Sequence, residues 1–154
     1  MTALLRATLL FALAGWAVVA TAASALFTLE EIVQRSRYVF VAEVNDVAQP
    51  NWKDEQGSEI MLASVTVTRV LKGDTGNRVV IAYKANVDDQ PQMRRGERYL
   101  IFSVGPATPL LHGHQVRALP VRGQEVSTFL IKGEPERQPL VSVEDRIRRL
   151  VEFR

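Results

Sequence analysis

His112 and His114 are the two histidines of the chain, and their spacing is typical of a two-nitrogen metal site. Side chains two residues apart on a strand point to the same face, so both imidazoles can reach one ion. Zinc sites use three or four protein ligands, and Asp88 or Asp89 would have to supply the third. Gly113 between the histidines favours the other interpretation, two solvated loop side chains. We therefore expect no metal and no cofactor. A metal-binding protein or metal-dependent enzyme using His112 and His114 is the alternative.

A second group, Asn51-Trp52-Lys53, has residue types suited to binding. Trp is the residue most enriched in interface hot spots, and polar neighbours suit the rim of a contact. An exposed Trp beside a Lys also stacks on a base or a sugar. The alternative is that Trp52 folds back and closes one end of the domain. We expect Trp52, Lys53 and Asn51 to be binding residues.

The arginines fall into two clusters that we interpret as solvated surface, partly neutralised by neighbouring carboxylates. They are Arg94, Arg95 and Arg98 near the middle of the chain, and Arg146, Arg148, Arg149 and Arg154 at its end. The second cluster is the next candidate for contact with an anionic partner.

Motifs of catalysis are missing from the sequence. The chain has no cysteine, which excludes thiol catalysis, disulfide exchange and cysteine zinc sites. There is no glycine-flanked serine elbow, Gly-rich phosphate loop, dinucleotide fingerprint or metalloprotease helix motif. We therefore expect a protein that is not an enzyme.

Residues 1–25 have the pattern of a signal peptide. Arg6 precedes an apolar stretch over 7–20, and Ala23-Ser24-Ala25 supplies the small side chains that signal peptidase requires. The apolar stretch is shorter than the roughly 20 residues of a membrane span. We expect cleavage after Ala25 and a periplasmic or secreted protein with no stable membrane span. An uncleaved anchor is the alternative.

The expected mature chain, residues 26–154, has the length of a single domain. Without Arg6, 18 Lys and Arg residues stand against 17 Asp and Glu residues. A charge this close to zero gives no support for nucleic-acid binding.

Periodicity predicts a mainly β domain between two short helices. Thr28 and Glu31 form a capping-box pattern that opens a helix at about 29–35. The strands are expected at 38–47, 59–71, 78–84 and 97–104, with weaker candidates at 114–119 and 127–131. The Pro, Asn and Gly of residues 49–57 predict a loop. A closing helix is expected from a cap at Ser142 to about Phe153, with Val143 and Ile147 on its apolar side.

Two finer expectations concern packing. A slip in the apolar alternation predicts a bulge or bend near Arg69. Val41, Val67 and Ile101 are expected to be buried as central residues of three strands.

Three stretches together resemble a group of exported bacterial proteins. They are Ser36-Arg-Tyr-Val-Phe-Val-Ala-Glu-Val44, Val65-Thr-Val-Thr-Arg-Val-Leu-Lys-Gly-Asp74 and Arg95-Gly-Glu-Arg-Tyr-Leu-Ile-Phe102. The domain of that group is similar to the tissue inhibitors of metalloproteinases and to netrin-type modules. The resemblance covers about 29–131 and implies an OB-like five-stranded, partly open barrel. The animal inhibitors use disulfides and an amino-terminal cysteine, which this chain lacks.

From these observations we expect an exported, non-catalytic binding module whose partner is a protein of the cell envelope or the extracellular space. Its oligomeric state does not follow from the sequence.

Overall fold

A computed structural model describes residues 27–85, 92–104 and 117–153. This part of the chain is mainly β, with one short helix before the sheet and one after it, as the sequence predicts. The elements are α1 (Leu29–Arg35), β1 (Tyr38–Lys53), β2 (Glu59–Lys72), β3 (Arg78–Lys84), β4 (Arg98–Ser103), β5 (Arg117–Arg122), β6 (Glu125–Ser127), β7 (Arg137–Pro139) and α2 (Leu140–Glu152).

All seven strands belong to one antiparallel sheet with the order β3-β2-β1-β4-β5-β6-β7. Among the described residues the sheet is open, with β3 and β7 as its outer strands. Periodicity predicts four strands and two weaker candidates, and the family resemblance implies five, whereas the described sheet has seven. The first four form a Greek key, because three successive strands pair in turn and the fourth returns to lie beside the first.

Helix α1 begins where the capping box predicts. The backbone N–H of Thr28 donates to Glu31 Oε2 at 2.9 Å, and the N–H of Glu31 donates to Thr28 Oγ1 at 3.3 Å. These reciprocal bonds satisfy two backbone donors that the first helical turn leaves free. The helix buries Leu29, Ile32 and Val33.

The core consists of two clusters, one on each face of the sheet. The helix-side core contains Val39, Val41, Leu100, Phe102 and residues of both helices. The opposite core contains Phe40, Ala42, Val44, Tyr99, Ile101 and residues of β2 and β3. Strands β1 and β4 contribute alternate residues to both clusters, since successive side chains on a strand point to opposite faces. Their runs of consecutive apolar residues therefore reflect burial on both faces.

The bulge expected near Arg69 is present. Val41 pairs with Arg69 and Ala42 with Val67, so β2 carries one extra residue, Thr68, at this point. Thr68 Oγ1 donates to the carbonyl of Val41 at 3.1 Å. The bulge restores the apolar phase of β2 after the slip seen in the sequence.

The end of β2 is joined to the α1–β1 junction. Lys72 Nζ donates to the carbonyls of Val33 and Ser36 at 2.6 and 2.5 Å, at the carboxyl end of α1. Gly73 follows with φ of 76°. A Cβ at this position would lie 2.6 Å from Tyr38 Cδ1 and 2.8 Å from the carbonyl oxygen of Arg37. Both the backbone angle and the close approach therefore require glycine.

Three expectations about the strands are wrong in part. Residues 49–53 belong to β1 and not to a loop, because the irregular segment containing Pro50 and Asn51 is a bulge within the hairpin. The weak candidate at 127–131 is replaced by the short strands β6 and β7. Val41 and Ile101 are buried, but Val67 is only partly buried, because it lies beside the bulge in β2.

The closing helix also begins earlier than expected. Its first residue is Leu140, its N-cap is Pro139, and no side chain caps it, so Ser142 is not the cap. Leu140 extends the apolar side of the helix by one turn and packs in the helix-side core. The backbone N–H of Leu140 also donates to the carbonyl of Gln124 at 2.8 Å, so the first residue of the helix is bonded to the β5–β6 turn.

Candidate binding surface

The predicted binding residues lie at the end of the β1–β2 hairpin. Trp52 pairs with Ile60 and Lys53 with Glu59, and residues 54–58 form the turn. Between the Ala48–Leu62 and Trp52–Ile60 pairs, β1 has three residues and β2 has one. Asn51, in this bulge, has φ of 58°, a left-handed conformation that asparagine tolerates better than most residues.

The hairpin turn is held by Asp54. Its Oδ1 accepts hydrogen bonds from the backbone N–H groups of Gln56 and Ser58 at 2.9 and 2.7 Å. Its Oδ2 lies 2.5 Å from Lys84 Nζ, which belongs to the neighbouring strand β3. The hydrogen bond with Lys84 and these two backbone bonds lower the pKa of Asp54 below its usual value. The carboxylate is therefore ionised at neutral pH and joins the turn to β3.

Further polar bonds connect the same three strands. Gln49 Nε2 donates to Glu59 Oε2 at 2.9 Å, and Lys84 Nζ donates to Gln56 Oε1 at 3.2 Å. The N–H of Ala85 donates to the carbonyl of Glu59 at 2.9 Å. Each bond is partly exposed and adds little alone, but together they restrict the motion of the hairpin end relative to β3.

Trp52 is 45% exposed and is part of neither core cluster. Directly opposite residues of an antiparallel pair share one face, so the half-buried Ile60 stands beside the indole. Asn51 and Lys53 are exposed on either side of it. The hairpin end thus presents an aromatic group with an apolar neighbour and polar flanks.

The residues of the alternative metal site, His112, His114, Asp88 and Asp89, lie outside the described residues. Within the described ranges, no group of three or more His, Cys, Asp or Glu side chains could hold a metal ion.

Several of the arginines make local bonds. Arg98 Nη2 donates to the carbonyl of Gly123 at 2.5 Å. In the closing helix, Arg148 pairs with Asp145 at 3.1 Å, and Arg146 makes two bonds to Glu134 at 2.7 and 2.8 Å. The described arginines of both clusters are exposed or partly exposed, in agreement with their interpretation as surface; Arg154 lies outside the described residues.

The Arg146–Glu134 pair joins α2 to the segment before β7. The hydrogen bonds from Arg146 lower the pKa of Glu134, and a bond from Gln138 at 2.7 Å acts in the same direction. The same contact raises the pKa of Arg146.

Sequence reasoning missed one buried charge. The side chain of Glu144 is fully buried in α2 and bonds to Arg69 on β2, whose own side chain is half exposed. Glu144 Oε1 has no hydrogen-bond partner within the described part of the chain. The two residues are 75 positions apart, so no local pattern indicates the pair.

It also missed a small concave surface beside the last three strands. This cavity, which we call the β5–β7 pocket, has a volume of about 210 Å³. Phe129, 54% exposed, forms part of its wall. In the sequence, Phe129 is a single aromatic residue among turn residues, and it does not indicate a pocket.

No helix among the described residues has the length and apolar character needed to cross a membrane. No model of a protein family matches the chain, and a search of curated proteins finds no significant match. Its function must therefore be argued from its own residues.

Proposed function

We propose that this protein is an exported, non-catalytic binding module that contacts a protein partner in the cell envelope through the end of its β1–β2 hairpin. The observation that carries the proposal is the exposure of Trp52 on a hairpin end that polar bonds tie to β3. A Trp on a backbone that is already held in place loses less conformational freedom on binding, so more of its burial contributes to affinity.

Trp52 has the surroundings of a contact residue. It lies outside both core clusters, beside the half-buried Ile60 and between the exposed Asn51 and Lys53. Interface hot spots combine a central aromatic group with a polar rim in this way. A Trp that closed the end of a barrel would instead be expected to lie within a core cluster.

We further propose that β1 to β5 correspond to an OB-like barrel, as the family resemblance implies. OB barrels are five-stranded, partly open Greek-key structures, and the order β3-β2-β1-β4-β5 contains a Greek key. In that fold the connection between the first two strands is a usual place for ligand contacts. Trp52 lies at the corresponding hairpin. Strands β6 and β7 and helix α2 are additions to this arrangement.

Export is the second part of the proposal and rests on the signal-peptide pattern of residues 1–25. Mass spectrometry of protein from the native host should find an amino terminus at Leu26. An intact form beginning at Met1 and fixed in the membrane would contradict cleavage and place the protein on an anchor.

Capture of partners from the native envelope tests the binding surface. Wild-type protein and the variant Trp52→Ala are immobilised and compared, and the captured partner is then titrated. We expect the affinity for that partner to fall about 30-fold or more. This corresponds to the loss of about 2 kcal/mol of binding free energy, which is typical when a buried hot-spot aromatic is truncated.

Phe153→Ala is the matched control, since Phe153 is also an exposed aromatic, 86% accessible, at the carboxyl end of α2. It should leave capture unchanged. A melting temperature for Trp52→Ala as low as that of a core variant such as Phe40→Ala would show that Trp52 has a structural role. Unchanged stability together with unchanged capture would place the partner surface elsewhere, with the arginine-bearing face of α2 next to test.

A further inference from the structure

The β5–β7 pocket lies on the face of the sheet opposite to the helix-side core. Val121 and Val126 point into that core. Because side chains alternate along a strand, their neighbours Arg122, Glu125 and Ser127 point to the other face. The pocket is lined by Pro120, Arg122, Glu125, Val126, Ser127, Phe129 and Arg137.

The register of the strands separates the charges of the pocket into two places. Arg122 lies directly opposite Glu125 across the β5–β6 hairpin, close enough for partial charge compensation, although no ion pair joins these two described side chains. Arg137 pairs with Ser127, which carries no charge. Arg137 is exposed and makes no ion pair with any described residue. The lining therefore carries two arginines against one glutamate, and Arg137 is the arginine with no carboxylate directly opposite it.

The rest of the lining is suited to an apolar group. Pro120 is half-buried, and Phe129 presents an exposed ring beside the cavity. Arg137 and Ser127 can donate hydrogen bonds to an oxyanion, and guanidinium binds a carboxylate through two parallel bonds. A carboxylate attached to an apolar side chain matches both halves of this surface.

We propose that the β5–β7 pocket binds the carboxyl terminus of a peptide whose last residue is apolar. Its volume of about 210 Å³ lies below the roughly 300–1,000 Å³ of pockets that enclose a whole small-molecule ligand. One terminal residue fits the cavity, and the preceding residues remain outside it. Strand β7 is an outer strand of the described sheet, with no further strand paired to it.

This site is independent of the one proposed for Trp52. The hairpin end belongs to β1 and β2, whereas the pocket belongs to β5, β6 and β7, with β4 between the two groups. Loss of peptide binding would leave the role of Trp52 untouched, and the reverse also holds.

The test uses an acetylated tetrapeptide of three glycines followed by leucine, titrated into isotope-labelled protein and followed by NMR. We expect saturable shifts of the amides of residues 122–129 and 137. The same peptide with a C-terminal amide should bind at least tenfold more weakly, because it lacks the anion that Arg137 recognises.

Two pairs of variants locate the interaction. Arg137→Met should weaken the acid peptide about tenfold or more, and Arg78→Met, at an exposed arginine on β3, should not. Phe129→Ala should weaken it as well, with Phe153→Ala as the matched control. All four positions are exposed, so melting temperatures near that of the wild type are expected.

Equal binding of the acid and amide peptides would overturn the proposal, as would the absence of any shift or an unchanged affinity of Arg137→Met. Acetyl-leucine binding as tightly as the tetrapeptide would assign the pocket to a small free acid and contradict the peptide proposal.

Discussion

The ion pair between Arg69 and Glu144 offers a quantitative test of how α2 is attached to the sheet. Glu144 is fully buried and has one unpartnered oxygen among the described residues, whereas 52% of the Arg69 side chain is exposed. Replacing Arg69 with Met removes the cation and keeps an apolar stem of similar reach. The carboxylate of Glu144 is then left buried without a counter-charge.

The structure sets the expected size of the effect. Removing one member of a buried ion pair costs about 3–5 kcal/mol. Water reaches half of Arg69 and screens part of the attraction, so we expect Arg69→Met to lower the free energy of unfolding by about 2–3 kcal/mol. In the double variant Arg69→Met/Glu144→Leu no charge is left buried. Its stability should lie within about 1 kcal/mol of wild type. The double variant should therefore be more stable than the single one.

Urea denaturation at pH 7, followed by circular dichroism, measures these differences by linear extrapolation. Arg149→Met is the control. Arg149 is an exposed arginine of α2, the helix that carries Glu144, and it makes no ion pair with the described residues. It should change stability by less than about 0.5 kcal/mol. The reasoning would be refuted if the free energy of unfolding of Arg69→Met lay within about 1 kcal/mol of the wild-type value, close to the effect of an ordinary surface substitution. A double variant less stable than the single variant would refute it as well.

Three further predictions concern packing, pH and metal. Val41→Ala should lower the free energy of unfolding by about 2 kcal/mol, and Val67→Ala by clearly less, because Val41 is buried and Val67 is only partly buried. Thermal or urea unfolding of the two variants measures the difference. The pKa of Glu134 is lowered in the folded protein, so its carboxylate stabilises the fold at pH values above 4.5, the ordinary pKa of a glutamate. This stability is lost as the pH falls through the lowered pKa. Glu134→Gln should therefore flatten the pH dependence of the free energy of unfolding below pH 4.5. Purified protein should contain no stoichiometric zinc; micromolar or tighter binding abolished by His112→Ala or His114→Ala would promote the metal alternative.

Features that depend on neighbouring residues were the predictable ones. The capping box of Thr28 and Glu31 gave the start of α1, and the slip in alternation at Arg69 gave the bulge in β2. In each case the deciding contacts span a few residues or follow directly from the two-residue period of a strand.

Features that depend on tertiary pairing could not be predicted from the sequence. Pro50 and Asn51 have loop composition, yet the hairpin accommodates them as a bulge and continues to Lys53. In the sequence Glu144 looks like a solvated helix residue, because its partner Arg69 is brought beside it only by the fold. The β5–β7 pocket arises from the register of three short strands, which residue types alone do not specify.

The sharing of β1 and β4 between the two core clusters has a consequence for how the protein opens. Phe40 and Val41, adjacent in the chain, are anchored in different clusters, and so are Leu100 and Ile101. Neither cluster can come apart without moving β1 and β4, which also belong to the other cluster, so separation of these two strands disrupts both clusters at once. The amides of these central strands should exchange with solvent only when the whole domain unfolds, and their exchange rates then report the global free energy directly.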